Sequence, residues 1–215
     1  MDRKWIFAGA AFALLAVTPV LAKAPGYEAA MTDSARPDTD KQLDAERKPA
    51  EMLALAHVKP GMKVMDLIPG KGYFTRLFSV AVGPKGYVYA YQPSELDALY
   101  KGKEPSINAV AKDYKNVAVI HASINKAVYD ALRPGGLYIV LDHAAEKGSG
   151  VRDTDTLHRI DEDTVKKEVL AAGFKLAGES SVLRNKADDH KLKVFDPSIR
   201  HKTDQFILIF RKPGK

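Results

Sequence analysis

The chain has no cysteine. No disulfide framework can hold it together, and no thiolate is available as nucleophile or metal ligand. It also has no block of consecutive Lys and Arg. The formal net charge of +6 over 215 residues is spread along the sequence, which describes a solvated surface rather than a nucleic-acid footprint. Serine-elbow patterns of the G-x-S-x-G type and Glu-x-x-His pairs on one helix face are missing, which removes the usual signatures of esterases and zinc peptidases. The glycine-rich turn described below lacks the Lys-Ser/Thr of a phosphate-cradling loop. A stable mature protein of this size must rely on an ordinary apolar core, and one domain is long enough to build it.

One long apolar run is present, at the N-terminus. Arg3 and Lys4 precede an almost uninterrupted apolar stretch from Trp5 to Ala22. Val20-Leu21-Ala22 offers suitable residues for cleavage after Ala22, and Pro19 favours that reading. The segment predicts an exported protein, periplasmic or secreted, with no stable membrane insertion after signal cleavage. The alternative is a retained N-terminal membrane anchor, because the run is about long enough to span a bilayer. Lys23 to Arg47 is polar without an apolar period and predicts an extended or partly disordered lead-in. Residues 48–215 form the expected domain.

The informative stretch is Lys63-Val64-Met65-Asp66-Leu67-Ile68-Pro69-Gly70-Lys71-Gly72-Tyr73-Phe74-Thr75. It predicts a buried strand ending in an acid, a glycine-rich turn and a helix start. Such a turn brings backbone N–H groups against a ligand at a helix N-terminus. It departs from the dinucleotide pattern because Ile68 stands where a first glycine is expected. The same residues also suit a plain βα turn with glycines for close packing.

Around it, strands and helices alternate. Helices are predicted over Pro49 to Ala56, Tyr73 to Val82, Ser94 to Tyr100, Ser106 to Asp113, Lys126 to Leu132 and Asp161 to Ala172. Asp161 is the expected N-cap of the last, with Gly173 at its stop. Strands are predicted over Val64 to Leu67, Tyr87 to Tyr91, Val117 to His121, Leu137 to Leu141, Phe174 to Ser180 and Gln205 to Arg211. Leu137 to Leu141 and Phe206 to Phe210 are apolar throughout, as strands covered on both faces are; the first of these is expected to be a central parallel strand. The alternation predicts an α/β three-layer sheet.

Asp66-Leu67-Ile68-Pro69-Gly70-Lys71-Gly72 resembles motif I of the class I S-adenosylmethionine-dependent methyltransferases, in its D-L-x-P-G-x-G form. Lys59-Pro60-Gly61 before the first strand and Leu132-Arg133-Pro134-Gly135-Gly136 before the apolar strand are similar to that family too. The resemblance covers roughly Pro49 to Pro213. More narrowly, the chain resembles exported methyltransferase-like proteins through Arg47-Lys48-Pro49-Ala50-Glu51, Asp142-His143-Ala144-Ala145, Leu157-His158-Arg159-Ile160-Asp161 and Asp188-Asp189-His190. The resemblance implies a Rossmann-like methyltransferase sheet, mostly parallel with a C-terminal antiparallel hairpin. It implies S-adenosylmethionine as cofactor and methyl transfer to an unknown acceptor.

Three departures accompany it. Tyr91-Gln92 stands where an acid usually holds the ribose hydroxyls, so Gln92 or the nearby Glu95 must serve. The third strand ends His121-Ala122-Ser123, without an acid for the adenine amine. Only about six strands are present instead of seven: the region of strand four, which lies beside strand one in this family, is missing. Either strand three shifts into the vacant place, or strand five pairs directly with strand one. Three strand spacings are about 14 Å and a nine-residue helix is about 13.5 Å long, so the second arrangement is tight but feasible.

The implied cofactor-binding residues are Asp66, Pro69, Gly70, Gly72, Tyr73, Gln92 and Glu95. Asp66 either meets the cofactor or caps the turn; Tyr73 lines the pocket or packs. Asp142 and His143, expected just after their strand, are the candidate catalytic pair. An imidazole there suits general-base work near neutral pH, or it is a structural histidine bonded to Asp142 or Glu146. His158 and Arg159 could face the same edge. Gly148-Ser149-Gly150 is expected to be a flexible lid. Asp188-Asp189-His190 invites a metal reading, but adjacent residues rarely converge on one ion, and no metal site is assigned. A non-enzymatic periplasmic module binding a small molecule or a protein is the alternative function, and a hydrolase using His143 with an acid is a third.

Overall fold

In the computed structural model, residues 26–97, 106–123 and 127–214 are described. The N-terminal apolar run, the end of the expected helix Ser94 to Tyr100 and the link at 124–126 lie outside them. The described chain builds α1 (Glu28–Thr32), α2 (Asp38–Lys41), α3 (Asp44–Arg47), α4 (Pro49–Leu55), β1 (Lys63–Leu67), α5 (Tyr73–Val82), β2 (Tyr87–Pro93), a 3-10 turn (Ser94–Leu96), α6 (Ile107–Asp113), β3 (Val117–Ala122), α7 (Ala127–Ala131), β4 (Leu137–His143), α8 (Thr154–Leu157), α9 (Glu162–Ala171), β5 (Lys175–Ser180) and β6 (Gln205–Arg211).

The strands form two three-stranded sheets. The first is parallel, in the order β1-β2-β3, with Asp66 opposite Ala90 and Gln92 opposite His121. The second is antiparallel, in the order β4-β6-β5, with His143 opposite Gln205 and a bulge between Leu176 and Gly178. This is an α/β Rossmann-like arrangement of six strands among the described residues. Both anticipated ways of closing the vacant place are corrected: β3 stays on β2, and β4 does not pair with β1. Nor is β4 a central parallel strand. Its apolar residues Leu137 to Leu141 are only half-buried, because β6 is its one strand partner among the described residues. It also runs two residues further than its apolar pattern, taking in Asp142 and His143.

Two cores follow from the two sheets. Around α5, the side chains of Leu53, Leu77, Val82, Val88, Ala90 and Ile107 are fully buried. Leu77 is shielded on the face that Phe74, Phe78 and Ala81 flank, as helical spacing requires. Against the second sheet, Phe174, Phe206, Leu208 and Phe210 are buried with Tyr129 and Tyr138 beside them. β6 is apolar on both faces because it is the middle strand. Asp161 caps α9 by accepting from the Asp163 backbone N–H at 3.2 Å.

The expected lead-in is instead three short helices, α1 to α3, packed on the domain. Tyr27 is buried, and its hydroxyl donates to the carbonyls of Val58 (2.8 Å) and Leu53 (3.2 Å). Asp33 accepts from the Tyr114 hydroxyl at 2.6 Å, and Asp40 from Arg76 at 2.8 Å. Arg36, 1 % exposed, reaches Asp44 through two hydrogen bonds of 2.6 and 3.1 Å. These elements add Tyr27, Ala30, Met31 and Leu43 to the first core and are otherwise held by polar contacts at separated points, so no regular apolar period announces them. At the end of this segment Lys48 Nζ donates to the Val182 carbonyl (2.6 Å), and Glu46 pairs with His201 (3.2 Å), linking it to the second sheet's side of the molecule.

Candidate functional site

The β1–α5 turn is built as its sequence demands. Ile68 leaves β1 at φ 58°, and its N–H donates to the Tyr91 carbonyl at 2.9 Å. A β-branched residue in the left-handed region is strained, and Ile68 is 52 % exposed, so packing does not compel it. Gly70 follows at φ 56° with open space where a Cβ would stand. Gly72, at φ 80°, serves a different need: a Cβ there would lie 2.7 Å from Val110 Cγ2. Gly70 therefore leaves room for a ligand against the backbone, and Gly72 lets α5 close on α6.

Asp66 accepts from the Thr75 hydroxyl at 2.5 Å across the turn. Burial raises its carboxyl to a pKa of about 6, with the Thr75 bond and the Arg47 charge offsetting part of the effect. Tyr73 opens α5. Its hydroxyl donates to Asp44 Oδ1 at 2.7 Å, while the Arg47 guanidinium lies over its ring, 4.7 Å from the centroid. Burial, with the Asp44 bond and charge added, pushes the Tyr73 phenol well above its usual range.

At the end of β4, His143 Nδ1 is 2.8 Å from Thr203 Oγ1. The expected structural bond to Asp142 or Glu146 is therefore not the one its ring makes. Asp142 instead accepts from the His143 backbone N–H at 2.7 Å. Burial, aided by the charges of Arg159 and His158, lowers the His143 imidazole to a pKa of about 4. Burial raises Asp142, against the His143 N–H and the His158 charge. Arg47 acts electrostatically on both Asp66 and His143. Arg47 is exposed, and its charge is felt by a titratable group at the carboxyl end of each of β1 and β4. Sequence reasoning did not select Arg47 as a site residue. It was noted only as the first residue of Arg47-Lys48-Pro49-Ala50-Glu51, and nothing in that stretch foretells its place over the Tyr73 ring.

Other expected site residues are placed less openly. Gln92 is fully buried in β2. Glu95 sits in the 3-10 turn and accepts from the Ser123 hydroxyl at 2.5 Å. The Tyr91 hydroxyl donates to the Ser123 carbonyl at 2.6 Å, and His121 meets Asp97 at 2.8 Å. Pro69 is buried beneath the turn. The loop Gly148-Ser149-Gly150 is pinned rather than free: Asp161 accepts from the Gly148 N–H, and the Gly150 carbonyl accepts from the Asp161 N–H, both at 3.1 Å. Asp188 pairs with the buried Arg159 at 2.9 Å and accepts from the Asp204 N–H at 2.6 Å. Among the described residues no group of three His, Cys, Asp or Glu side chains is placed to hold a metal ion.

No protein-family model matches the chain. A curated relative, the protein-L-isoaspartate O-methyltransferase of Methanothermobacter thermautotrophicus, is 24 % identical over 97 residues. The match takes in 45 % of this chain, which spans about 43 % of that relative's length. Among solved structures, an S-adenosylmethionine-dependent methyltransferase from Aquifex aeolicus superposes with a TM-score of 0.54 at 20 % identity, over 82 % of this chain and 98 % of its own. One from Mesorhizobium loti gives 0.51 at 15 % identity, over 79 % and 99 %. The chain therefore has the class I methyltransferase-like fold.

The site can be tested against the cofactor that this fold implies. Open space over Gly70, turn amides at a helix start and a carboxylate at the end of β1 fit the amino-acid end of S-adenosylmethionine. The ribose end fits less well, since Gln92 is fully buried and Glu95 already accepts from Ser123.

Proposed function

We propose that this protein binds S-adenosylmethionine at the carboxyl edge of β1 and passes its methyl group to an acceptor presented between the ends of β1 and β4. The observation that carries the reading is the turn itself, in which Ile68 is strained, Gly70 is left open and Asp66 stands beside Thr75. Asp66 would take the cofactor's ammonium group, the turn amides around Gly70 its carboxylate, and Tyr73 the wall of the pocket. When bound, the cofactor supplies an electrophilic methyl carbon for in-line displacement. The protein's contribution is alignment of the acceptor. His143, neutral at pH 7 with a pKa of about 4, accepts a proton only from an acceptor that sheds it readily. Acceptors that need no deprotonation, such as a thioether or a tertiary amine, suit the site better than an alcohol. We read the activity as periplasmic or secreted, after cleavage following Ala22; the basic Arg3 and Lys4 ahead of the apolar run from Trp5 to Ala22 support that reading.

A second reading is a non-enzymatic binding module on the same fold. It is favoured by the closure of the β2–β3 edge through Tyr91, Glu95, Ser123, His121 and Asp97. It also removes the need for a supply of the cofactor outside the cytoplasm.

Thermal denaturation of the mature protein with S-adenosylmethionine separates the two. A ligand present at a hundred times its Kd stabilises the native state by about 2.7 kcal/mol, a shift of several degrees. Gly70→Val should abolish that shift. No shift at millimolar ligand supports the binding module, and a shift that survives Gly70→Val rejects the assigned site.

A further inference from the structure

The hydrogen bond at His143 Nδ1 decides more than where the ring lies. Its partner Thr203 is 5 % exposed and stands just before β6. The next residue, Asp204, is pinned from three sides. Asp188 accepts from the Asp204 N–H at 2.6 Å, the Asp204 carbonyl accepts from the Ala144 N–H at 3.0 Å, and the Asp204 carboxylate accepts from the Asn185 N–H at 2.7 Å. Gln205 follows, opposite His143 in the β4–β6 ladder. The Thr203 hydroxyl is thus set against the ring by anchored main chain, and its β-branched side chain is stiff at χ1. A hydroxyl has one hydrogen to give and two lone pairs to receive. Thr203 Oγ1 lies 2.8 Å from His143 Nδ1 and accepts from the Gln205 side-chain amide at 3.4 Å. Among the described residues it meets no third group, so the one acceptor within reach of its hydrogen is Nδ1. In the opposite arrangement Nδ1–H donates and a buried O–H is left with nothing, which costs more than an unused lone pair. The second ring nitrogen is free: Nε2 makes no hydrogen bond among the described residues, and it is not among their buried unpartnered atoms.

We propose that Thr203 is a positioning residue whose hydroxyl donates to His143 Nδ1 and keeps the imidazole proton on Nε2, so that the open side of the ring is a hydrogen-bond donor and not a base. A neutral imidazole takes a proton only on the nitrogen that lacks one. Here that nitrogen faces Thr203, away from the open side. The tautomer stands on this geometry alone. What it says of the methyl acceptor rests on the methyl-transfer reading and sharpens it. The acceptor must arrive with no proton to lose to His143, and it must present a lone pair to Nε2–H. A molecule carrying a carboxylate or carbonyl oxygen meets the second demand, and an alcohol that needs a base fails the first.

Long-range proton–nitrogen NMR spectra of the nitrogen-15-labelled full chain at pH 7 test this. No ligand is needed, so the result is separate from whether the cofactor binds. The His143 signals are those lost in His143→Gln. Nε2 should resonate as a protonated nitrogen and Nδ1 as an unprotonated one, with no averaging between them. Thr203→Ser retains the hydroxyl and should keep both shifts. Thr203→Val retains the shape without the donor, and the two shifts should move towards each other as the nitrogens share the proton. A reversed pattern in the unaltered chain overturns the proposal; it would mean that the Gln205 side-chain carbonyl takes the hydroxyl hydrogen and that Nδ1–H donates. An averaged pair of shifts overturns it as well. So do unmoved shifts in Thr203→Val, or a Thr203→Ser spectrum in which the two shifts converge. Should Thr203→Val fail to fold, the unaltered chain and Thr203→Ser still decide.

Discussion

The two sheets solve one problem in opposite ways. The first is parallel, covered by α5 and α6, with a mainly aliphatic core and an acid at its carboxyl edge. The second is antiparallel, with an aromatic core of Phe174, Phe206 and Phe210 beside Tyr129 and Tyr138, and a buried Arg159–Asp188 pair behind the loops. Desolvation at the first sheet's edge raises Asp66 to about 6, which leaves it mostly ionised at pH 7, and at the end of β4 it lowers His143 to about 4, which keeps the imidazole neutral.

The largest effect should come from breaking the polar hub of the second half. Asp188→Ala leaves Arg159 buried without its partner and should cost about 3–5 kcal/mol. In hydrogen exchange, amides of β4 to β6 should lose protection first. Equal loss in β1 to β3 would show that the halves unfold as one. Leu77→Ala in the first core and Leu208→Ala in the second each remove a fully buried side chain and should cost about 2–5 kcal/mol by denaturant titration. A cost below 1 kcal/mol for either would mean that its half is loosely packed. Among the glycines, Gly72→Ala should destabilise by about 1–3 kcal/mol, through its left-handed φ and the 2.7 Å approach to Val110. Gly70→Ala, with only the backbone strain, should cost about 1 kcal/mol. Reversal of that order would mean that α6 yields to α5.

The most diagnostic effects lie in pH. Asp66 is raised from its ordinary 3.8 to about 6, so its contribution to stability is full below pH 4 and is lost as pH rises through 6. His143 is lowered from 6.5 to about 4, so its contribution is full above pH 6.5 and is lost as pH falls through 4. Between pH 4 and 6 the two slopes oppose each other. Asp66→Asn should therefore make stability rise more steeply with pH in that window, and His143→Gln should make it fall. Two variants with the unaltered slope would place both groups in solvent.

Much of this architecture was readable from residues. The six strands and the capped helix after Asp161 follow from periodicity and turn chemistry, and the antiparallel end of the sheet from the resemblance. What escaped was whatever depends on distant partners. Asp33, Asp40 and Asp44 organise α1 to α3 through Tyr114, Arg76 and Tyr73, which lie far along the chain. Nothing local in a polar stretch reveals such contacts. Leu137 to Leu141 reads as a strand covered on both sides because composition reports apolarity, not the neighbour missing from an edge. Asp188-Asp189-His190 suggested a metal because its partner Arg159 is 29 residues away. At the β1–α5 turn, the geometry of Asp66 and the glycines was legible from their sequence, while the stacking of Arg47 on the Tyr73 ring was not.

Isothermal titration calorimetry with S-adenosylhomocysteine, the demethylated product, tests the assignment of the β1 edge most directly. The account predicts one site per chain for the mature protein, lost in Gly70→Val and weakened in Asp66→Asn. Absence of heat at millimolar product, or undiminished binding by Gly70→Val, would contradict it.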